Sequence, residues 1–468
     1  MSNEGPKGER SAHRANSLDG LYLSFANRLL EALRRWVESR PAAQYLEPIV
    51  EVTGAQFRTH YSMTYSYWGT VSSHLSEIED WPETEECARQ HLAAGILRPP
   101  QLEDLHGQAI VAPEFEQIRK YLTDALLKPI LRWLAEHGRS TCTPEDLRDC
   151  YERAVREWTR TTNLWMLAAP VIRLEGDFES ISLGPFLKLR TFPDDLKSHI
   201  LSVKTGFGPP ASEIITTRFC IAAEFEQDIQ RGNAIPRHIR DDIKSVVRAL
   251  RLIKTGSVGC PTIFLCRKVD EEGFGGLHST PGPASRSARR YLFSKDDVPA
   301  LQSIFETLRR GQKEQWLRSL EVALNRFDYA YDRTHFEDRI IDLTIALENT
   351  LLHDVNEELK YRLSLRAAAL LRNRIDPTWT KEFLVTLYEA RSRIVHRGQA
   401  VNEIQDLKKL PTAPDIVGDS RPDRIAENLV RLILREYLAI LQRTKSLREI
   451  GRELDAVILE GISEHQSK

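Results

Sequence analysis

The apolar residues of the chain change their spacing twice, and those changes set out its expected organisation. From Leu18 to Val37 they recur at Leu21, Leu23, Phe25, Leu29, Leu30, Leu33, Trp36 and Val37. From Phe25 onward the period is close to helical, which predicts an amphipathic helix. Residues Gln56 to Trp81, rich in Tyr, Ser and Thr, carry no clear period. A second helix is predicted from Ala112-Pro113, with Pro in the first turn, to about Glu136, where Gly138 supplies a stop. A third starts at the capping signal Thr143-Pro144-Glu145 and is expected to run through Trp165.

Near Ala169 the texture changes. Val171–Glu175, Ser180–Leu183, Leu187–Phe192, Phe219–Phe225 and Thr262–Lys268 are short, rich in branched and aromatic residues, and separated by Gly, Pro and Asp. They predict strands, interrupted by one helix over Arg240–Lys254. Gly273 to Arg290 has almost no apolar residue and is expected to be a mobile surface loop. From Val298 the helical period returns. It predicts helices over Val298–Arg310, Gln312–Tyr331, Thr334–Leu352, Glu357–Asn373, Trp379–Arg397, Pro422–Arg443 and Leu447–Leu459. No solenoid-type repeat is present. The expected fold is therefore multidomain and mainly α. It has a disordered tail (1–17), an α-helical N-terminal region (18–167), an α+β middle domain (168–297), a connecting helix (298–320) and an all-α C-terminal bundle (321–466).

Composition narrows the partners. Net charge is −2, from 65 basic and 67 acidic residues, so any nucleic-acid contact has to come from a local patch. Of the basic residues 48 are Arg, the side chain suited to bidentate phosphate contact. Cys87, Cys142, Cys150, Cys220, Cys260 and Cys266 form no C-x-x-C pair and have no His at zinc spacing, so they read as reduced thiols of a cytoplasmic protein. No apolar run approaches the roughly 18 residues of a membrane span. Met1 to Asn16 lacks the apolar stretch of a signal peptide.

The candidate chemistry lies in Thr380–Gly398, TKEFLVTLYEARSRIVHRG. Leu384, Leu387, Tyr388, Arg391, Ile394 and Val395 are spaced three and four apart along one helical stripe. A guanidinium on such a stripe must be paired or open onto a cleft, because burying it alone is too costly. His396 follows in the last turn before Gly398, where a helix C-terminus favours the imidazolium. The Arg-x4-His spacing has no force by itself. With 48 Arg and 13 His, chance gives roughly one such pair, and Arg132–His137 is another.

The surroundings of that pair resemble the Apea-like HEPN family. The resemblance rests on RFDYAYDRTHFEDRIIDLTIALENTLL (326–352), LSLRAAALL (363–371), LYEARSRIVHRG (387–398) and LDAVILEGIS (454–463), in order and at fitting intervals. Arg397 stands between His396 and Gly398, where the family pattern would have His-Gly directly. The resemblance implies a dimerising helical bundle acting on single-stranded RNA without metal or other cofactor. His396 would move protons and Arg391 would stabilise the phosphorane charge. The product would be a 2′,3′-cyclic phosphate, and the module would act in defence or as a toxin-like effector controlled by the N-terminal region. A non-catalytic RNA-binding or dimerisation scaffold is the alternative. Glu348 either orients Arg391 by a salt bridge or is solvated. Tyr388 either supports the site or is core. Arg393 and Arg397 either hold RNA backbone or are solvated. Arg366 either pairs with an acid or meets phosphate. The GFGG at 273–276 is no phosphate loop, and HFED at 335–338 reads as a charge cluster at a helix start.

Overall fold

The computed structural model describes residues 7–53, 56–66, 71, 74–97, 115–137, 142–203, 214, 216–228, 234–269, 273–285, 289–314, 316–353, 355, 357–398, 414–415, 421–444 and 446–466. The chain is mainly helical with a six-stranded, largely antiparallel sheet and two strand pairs among the described residues, and it divides into two compact units. The first comprises 1–51, 58–163 and 226–232, and the second 52–57, 164–225 and 233–468. Among the described residues no helix is long and apolar enough to cross a membrane.

The first unit contains α1 (Lys7–Ser39), the strands β1 (Ala43–Thr53) and β2 (Gln56–Ser66), α2 (Leu75–Glu79), α3 (Pro82–Ala93), α4 (Phe115–His137) and α5 (Pro144–Thr159). Its core joins Tyr22, Phe25 and Leu29 to Leu122, Leu126, Ile130 and Tyr151. Three expectations need correction. Helix α1 starts at Lys7, inside the expected tail, because the Ala, Arg, Lys and Glu of that segment are good helix formers and extend the amphipathic helix behind it. The N-terminal region is not purely helical, since β1 and β2 pair with each other. Helix α5 ends at Thr159 instead of Trp165. Its start is the capping box expected, with Asp146 N–H donating to Thr143 Oγ1 at 3.1 Å. The apolar run after Thr162 is instead a strand buried along most of its length. The expected stop at Gly138 lies outside the described residues.

Buried in this unit is His91, fully sealed among α3, α5 and two aromatic edges. Its Nδ1–H donates to the Cys87 carbonyl at 2.7 Å, so the neutral Nε2 accepts from the Tyr151 hydroxyl at 3.1 Å. The rings of Tyr151 and Trp158 stand edge-on at 5.7 and 5.9 Å. Burial lowers the imidazole pKa, only partly opposed by the Cys87 bond.

In the second unit the strands β3 (Thr162–Val171), β5 (Ser180–Ser182), β6 (Leu187–Thr191), β7 (Phe219–Asp228), β8 (Thr262–Val269) and β9 (Gly273–Pro281) form a sheet of order β5-β6-β7-β3-β8-β9. The short β4 (Leu174–Gly176) pairs in parallel with β10 (Tyr291–Phe293). Val171–Glu175 is not one strand: Arg173, at φ 63°, turns the chain between β3 and β4. Nor is Gly273–Arg290 a loop throughout. β9 runs antiparallel to β8, from Val269 opposite Gly273 to Thr262 opposite Pro281. The ladder satisfies the backbone of a segment whose side chains give no strand signal.

Helices α6 (Asp194–Val203) and α7 (Arg237–Ile253) belong to the sheet region. They are followed by α8 (Val298–Lys313), α9 (Glu321–Asp332), α10 (Phe336–Leu351), α11 (Leu359–Leu371), α12 (Pro377–Arg397), α13 (Pro422–Thr444) and α14 (Leu447–Gln466). The helix expected over Gln312–Tyr331 is divided, because α8 ends at Lys313 and a 3-10 turn over Trp316–Leu320 precedes α9. One continuous apolar core runs from the sheet through α7 and α8 into the bundle, so the expected connecting helix buries Leu301, Phe305 and Leu308.

Through that core runs a chain of buried ions. Asp328 of α9 receives Arg248 at 2.6 and 2.8 Å and Arg251 at 3.1 Å, both from α7. Arg251 also donates to the carbonyls of Val258 and Ala284, at 3.1 and 2.5 Å, and lies 4.4 Å over the Tyr331 ring. From α13, Arg431 donates to the Arg251 carbonyl at 2.6 Å and to Glu427 at 2.7 Å. Glu427 also accepts from Arg339 of α10 at 2.6 Å. Arg248 and Arg251 are 2% and 1% exposed, so their only compensation is internal.

Two stability predictions follow from this packing. Asp328→Ala leaves two sealed guanidiniums without their carboxylate and is expected to cost about 3–5 kcal/mol in chemical denaturation of the full chain; a loss below about 1 kcal/mol refutes the assignment. For His91, the unfolded chain binds an extra proton between the lowered folded value and the ordinary 6.5. Stability of the first unit therefore falls as pH drops below 6.5, by at most about 1.4 kcal/mol per pH unit. His91→Gln should remove that part of the slope, and identical slopes in the two proteins would disprove the burial argument.

Candidate functional site

Helix α12 is firmly bounded. The Asp376 carboxylate accepts from Trp379 N–H at 2.9 Å, Pro377 occupies the first turn, and Gly398 closes the helix at φ 61°. Its core face is Phe383, Leu387, Ala390 and Ile394, with Leu384 beside it. Against the expected stripe, Tyr388 and Arg391 lie on the shoulder of this face, half-buried, and Val395 is 46% exposed. The rim position lowers the cost of burying the guanidinium, because part of the side chain stays in water.

Glu348 of α10 meets this shoulder, though not as a direct partner of Arg391. It is hydrogen-bonded by Tyr388, whose phenol pKa is raised by burial first and then by the Glu348 charge and hydrogen bond, while Arg391 pulls it down. Among the described residues no ion pair joins Glu348 to Arg391, and the Arg391 Nε is buried without a hydrogen-bond partner. The three side chains thus form a row of carboxylate, phenol and guanidinium. Tyr388 is a polar bridge in that row, a role its apolar spacing did not reveal.

His396 is exposed in the last turn of α12. Five residues at about 100° each place it roughly 140° around the helix from Arg391 and about 7.5 Å along it. Within one copy the guanidinium and the imidazole therefore leave α12 in different directions. Arg397 is exposed at the helix end, and Arg393 is half-buried and engaged with its surroundings. Arg366 is structural: fully buried, it donates to both Asp455 oxygens at 2.8 Å and to the Leu351 carbonyl at 2.7 Å, tying α14 to α11.

The competing motifs are absorbed by packing. Arg132 pairs with Glu157 at 3.5 Å, and His137 stacks on Trp133 with ring centroids 4.1 Å apart. Gly273–Gly276 is part of β9, and Glu337 and Asp338 occupy the first turn of α10. Among the described residues no group of three His, Cys, Asp or Glu side chains is arranged to hold a metal ion. Compared with protein-family models, with curated proteins and with solved structures, the chain matches none.

The row has a spectroscopic signature. Glu348→Gln should lower the Tyr388 pKa toward the ordinary phenol value, and Arg391→Ala should raise it further. Both are read as phenolate absorbance against a Tyr388→Phe control; shifts of the opposite sign would break up the row.

Proposed function

We propose that the C-terminal helices form an Apea-like HEPN module and that the protein is a metal-independent endoribonuclease acting on single-stranded RNA. The observation that carries this reading is a solvent-exposed imidazole at the end of α12 and, about 1.4 turns earlier, a guanidinium with an unsatisfied Nε. The reaction is transesterification. His396 takes the proton of the ribose 2′-OH as its oxygen attacks the adjacent phosphorus, the bond to the 5′-oxygen breaks, and that oxygen leaves with a proton returned from imidazolium. Arg391 offsets the charge gathered on the phosphorane oxygens.

The roughly 140° divergence within one copy calls for a homodimer in which Arg391 of one protomer faces His396 of the other. Arg397 would then be available to RNA phosphate. The six cysteines, all free, suit a reducing cytoplasm. The N-terminal two-thirds of the chain, with the α+β region as the sensor, would restrain the nuclease in a defence or toxin-like setting. The same divergence also favours the second reading, a non-catalytic RNA-binding or dimerisation scaffold.

Incubation with tRNA and mixed cellular RNA, with and without chelator, separates the two. A nuclease leaves 2′,3′-cyclic phosphate ends in both conditions. Arg391→Ala and His396→Ala should each lower the rate by about 10²–10⁴-fold. Intact RNA at every protein concentration, or cleavage that survives His396→Ala, would leave only the scaffold.

A further inference from the structure

Cations of the bundle that reach a carboxylate of a neighbouring helix close on it. Arg326 of α9 and Arg333, just after that helix, both take Asp342 of α10, at 2.8 and 2.7 Å, although each is partly in water. Arg374 takes Glu436 of α13 at 2.6 Å. On α12 itself, Glu389 accepts from Lys360 of α11 at 2.8 Å. At the edge of a core the attraction is less screened than in bulk water, so pairs of this kind form readily.

Arg391 behaves differently. It is half-buried, its Nε is sealed without an acceptor, and among the described residues it enters no ion pair. A carboxylate is nonetheless at hand. The Tyr388 phenol donates to Glu348 of α10, and the Arg391 charge acts on that same phenol. Tyr388 and Arg391 are three residues apart, hence neighbours on the helix surface. The Tyr388 ring packs against the apolar core, which fixes where its hydroxyl lies. Glu348 is thus held at the tip of a rigid ring instead of by the guanidinium beside it. A carboxylate accepting one phenol has lone pairs left for a second donor. What separates Glu348 from Arg391 is therefore position.

We propose that Tyr388 is a positioning residue whose phenol holds Glu348 off Arg391 and so keeps the guanidinium open to a phosphate oxygen. This rests on the reading of α12 as a site for RNA phosphate. An unpaired guanidinium offers its whole fork of donors to an anionic oxygen, whereas one already paired with a glutamate has to give up that pair first. Without the phenol O–H, a half-buried carboxylate short of a donor stands near a guanidinium short of an acceptor. The two are then expected to pair.

The test uses the full chain in two arms. In the first, phenylglyoxal, an arginine reagent, is applied and modification of Arg391 is followed by peptide mass mapping. Tyr388→Phe should slow that modification about tenfold, and Tyr388→Phe combined with Glu348→Gln should restore it. In the second, binding of a single-stranded 2′-O-methyl RNA oligonucleotide, which cannot be cleaved, should weaken about tenfold in Tyr388→Phe and recover in the double variant. A tyrosine that only fills space gives another pattern. Arg391 then stays as reactive in Tyr388→Phe as in the unaltered chain, or the second substitution fails to restore it, and either result overturns the inference. An oligonucleotide left unbound by the unaltered chain removes the RNA reading, while the reagent arm still decides the role of Tyr388.

Discussion

Asp328 is the point on which the second unit turns. One carboxylate, 8% exposed, receives two guanidiniums from a single helix of the sheet region. A surface ion pair would contribute little. A sealed one is different, because neither partner can recover its hydration if the other is removed. Arg251 carries the arrangement onward through its backbone carbonyl to Arg431, and Glu427 then collects Arg431 and Arg339. The helices behind the sheet and the helices of the bundle are therefore set relative to one another by directional bonds as well as by apolar contact. The sheet region is part of the scaffold that positions α12.

This scaffold explains how α12 can present polar groups at a defined rim. Phe383, Leu387, Ala390 and Ile394 anchor one face, and the Asp376 cap and Gly398 fix its two ends. Arg391 is then left at the water boundary, near enough to Tyr388 for its charge to lower the phenol pKa. His396 is carried past the last buried position and out into solvent. Within one copy the two groups leave α12 in directions about 140° apart, which is the reason the proposed catalytic reading invokes a second copy.

Much of this was legible in the sequence where local and global preferences agree. The C-terminal helices fall close to their expected ranges because their apolar period is strong and their ends carry signals such as Asp376-Pro377 and Gly398. Three features were not legible. β9 is held by its partner strand and carries no β-branched run of its own. The ten-residue α6 has too few turns to establish a period against Pro193 and the acidic residues that follow it. Arg248 and Arg251 lie on a helix of strong amphipathic pattern, where an arginine reads as solvent-facing; only the position of Asp328, some eighty residues later, makes their burial tolerable.

The same logic separates the residues of the candidate site. Arg366, buried and saturated by Asp455 and a carbonyl, has no capacity left for a ligand. Arg391 does, because its Nε lies in the protein without an acceptor while the rest of the side chain reaches water. A buried donor left unsatisfied costs about 1–3 kcal/mol, and that cost is recovered only when an acceptor arrives. On a rim of this kind the acceptor comes from outside, and an anionic oxygen bonds a guanidinium more strongly than water does. Arg339 of α10 shares the unmet Nε but is held in the interior by Asp423 and Glu427; what marks Arg391 is an unmet hydrogen bond on a side chain that reaches water.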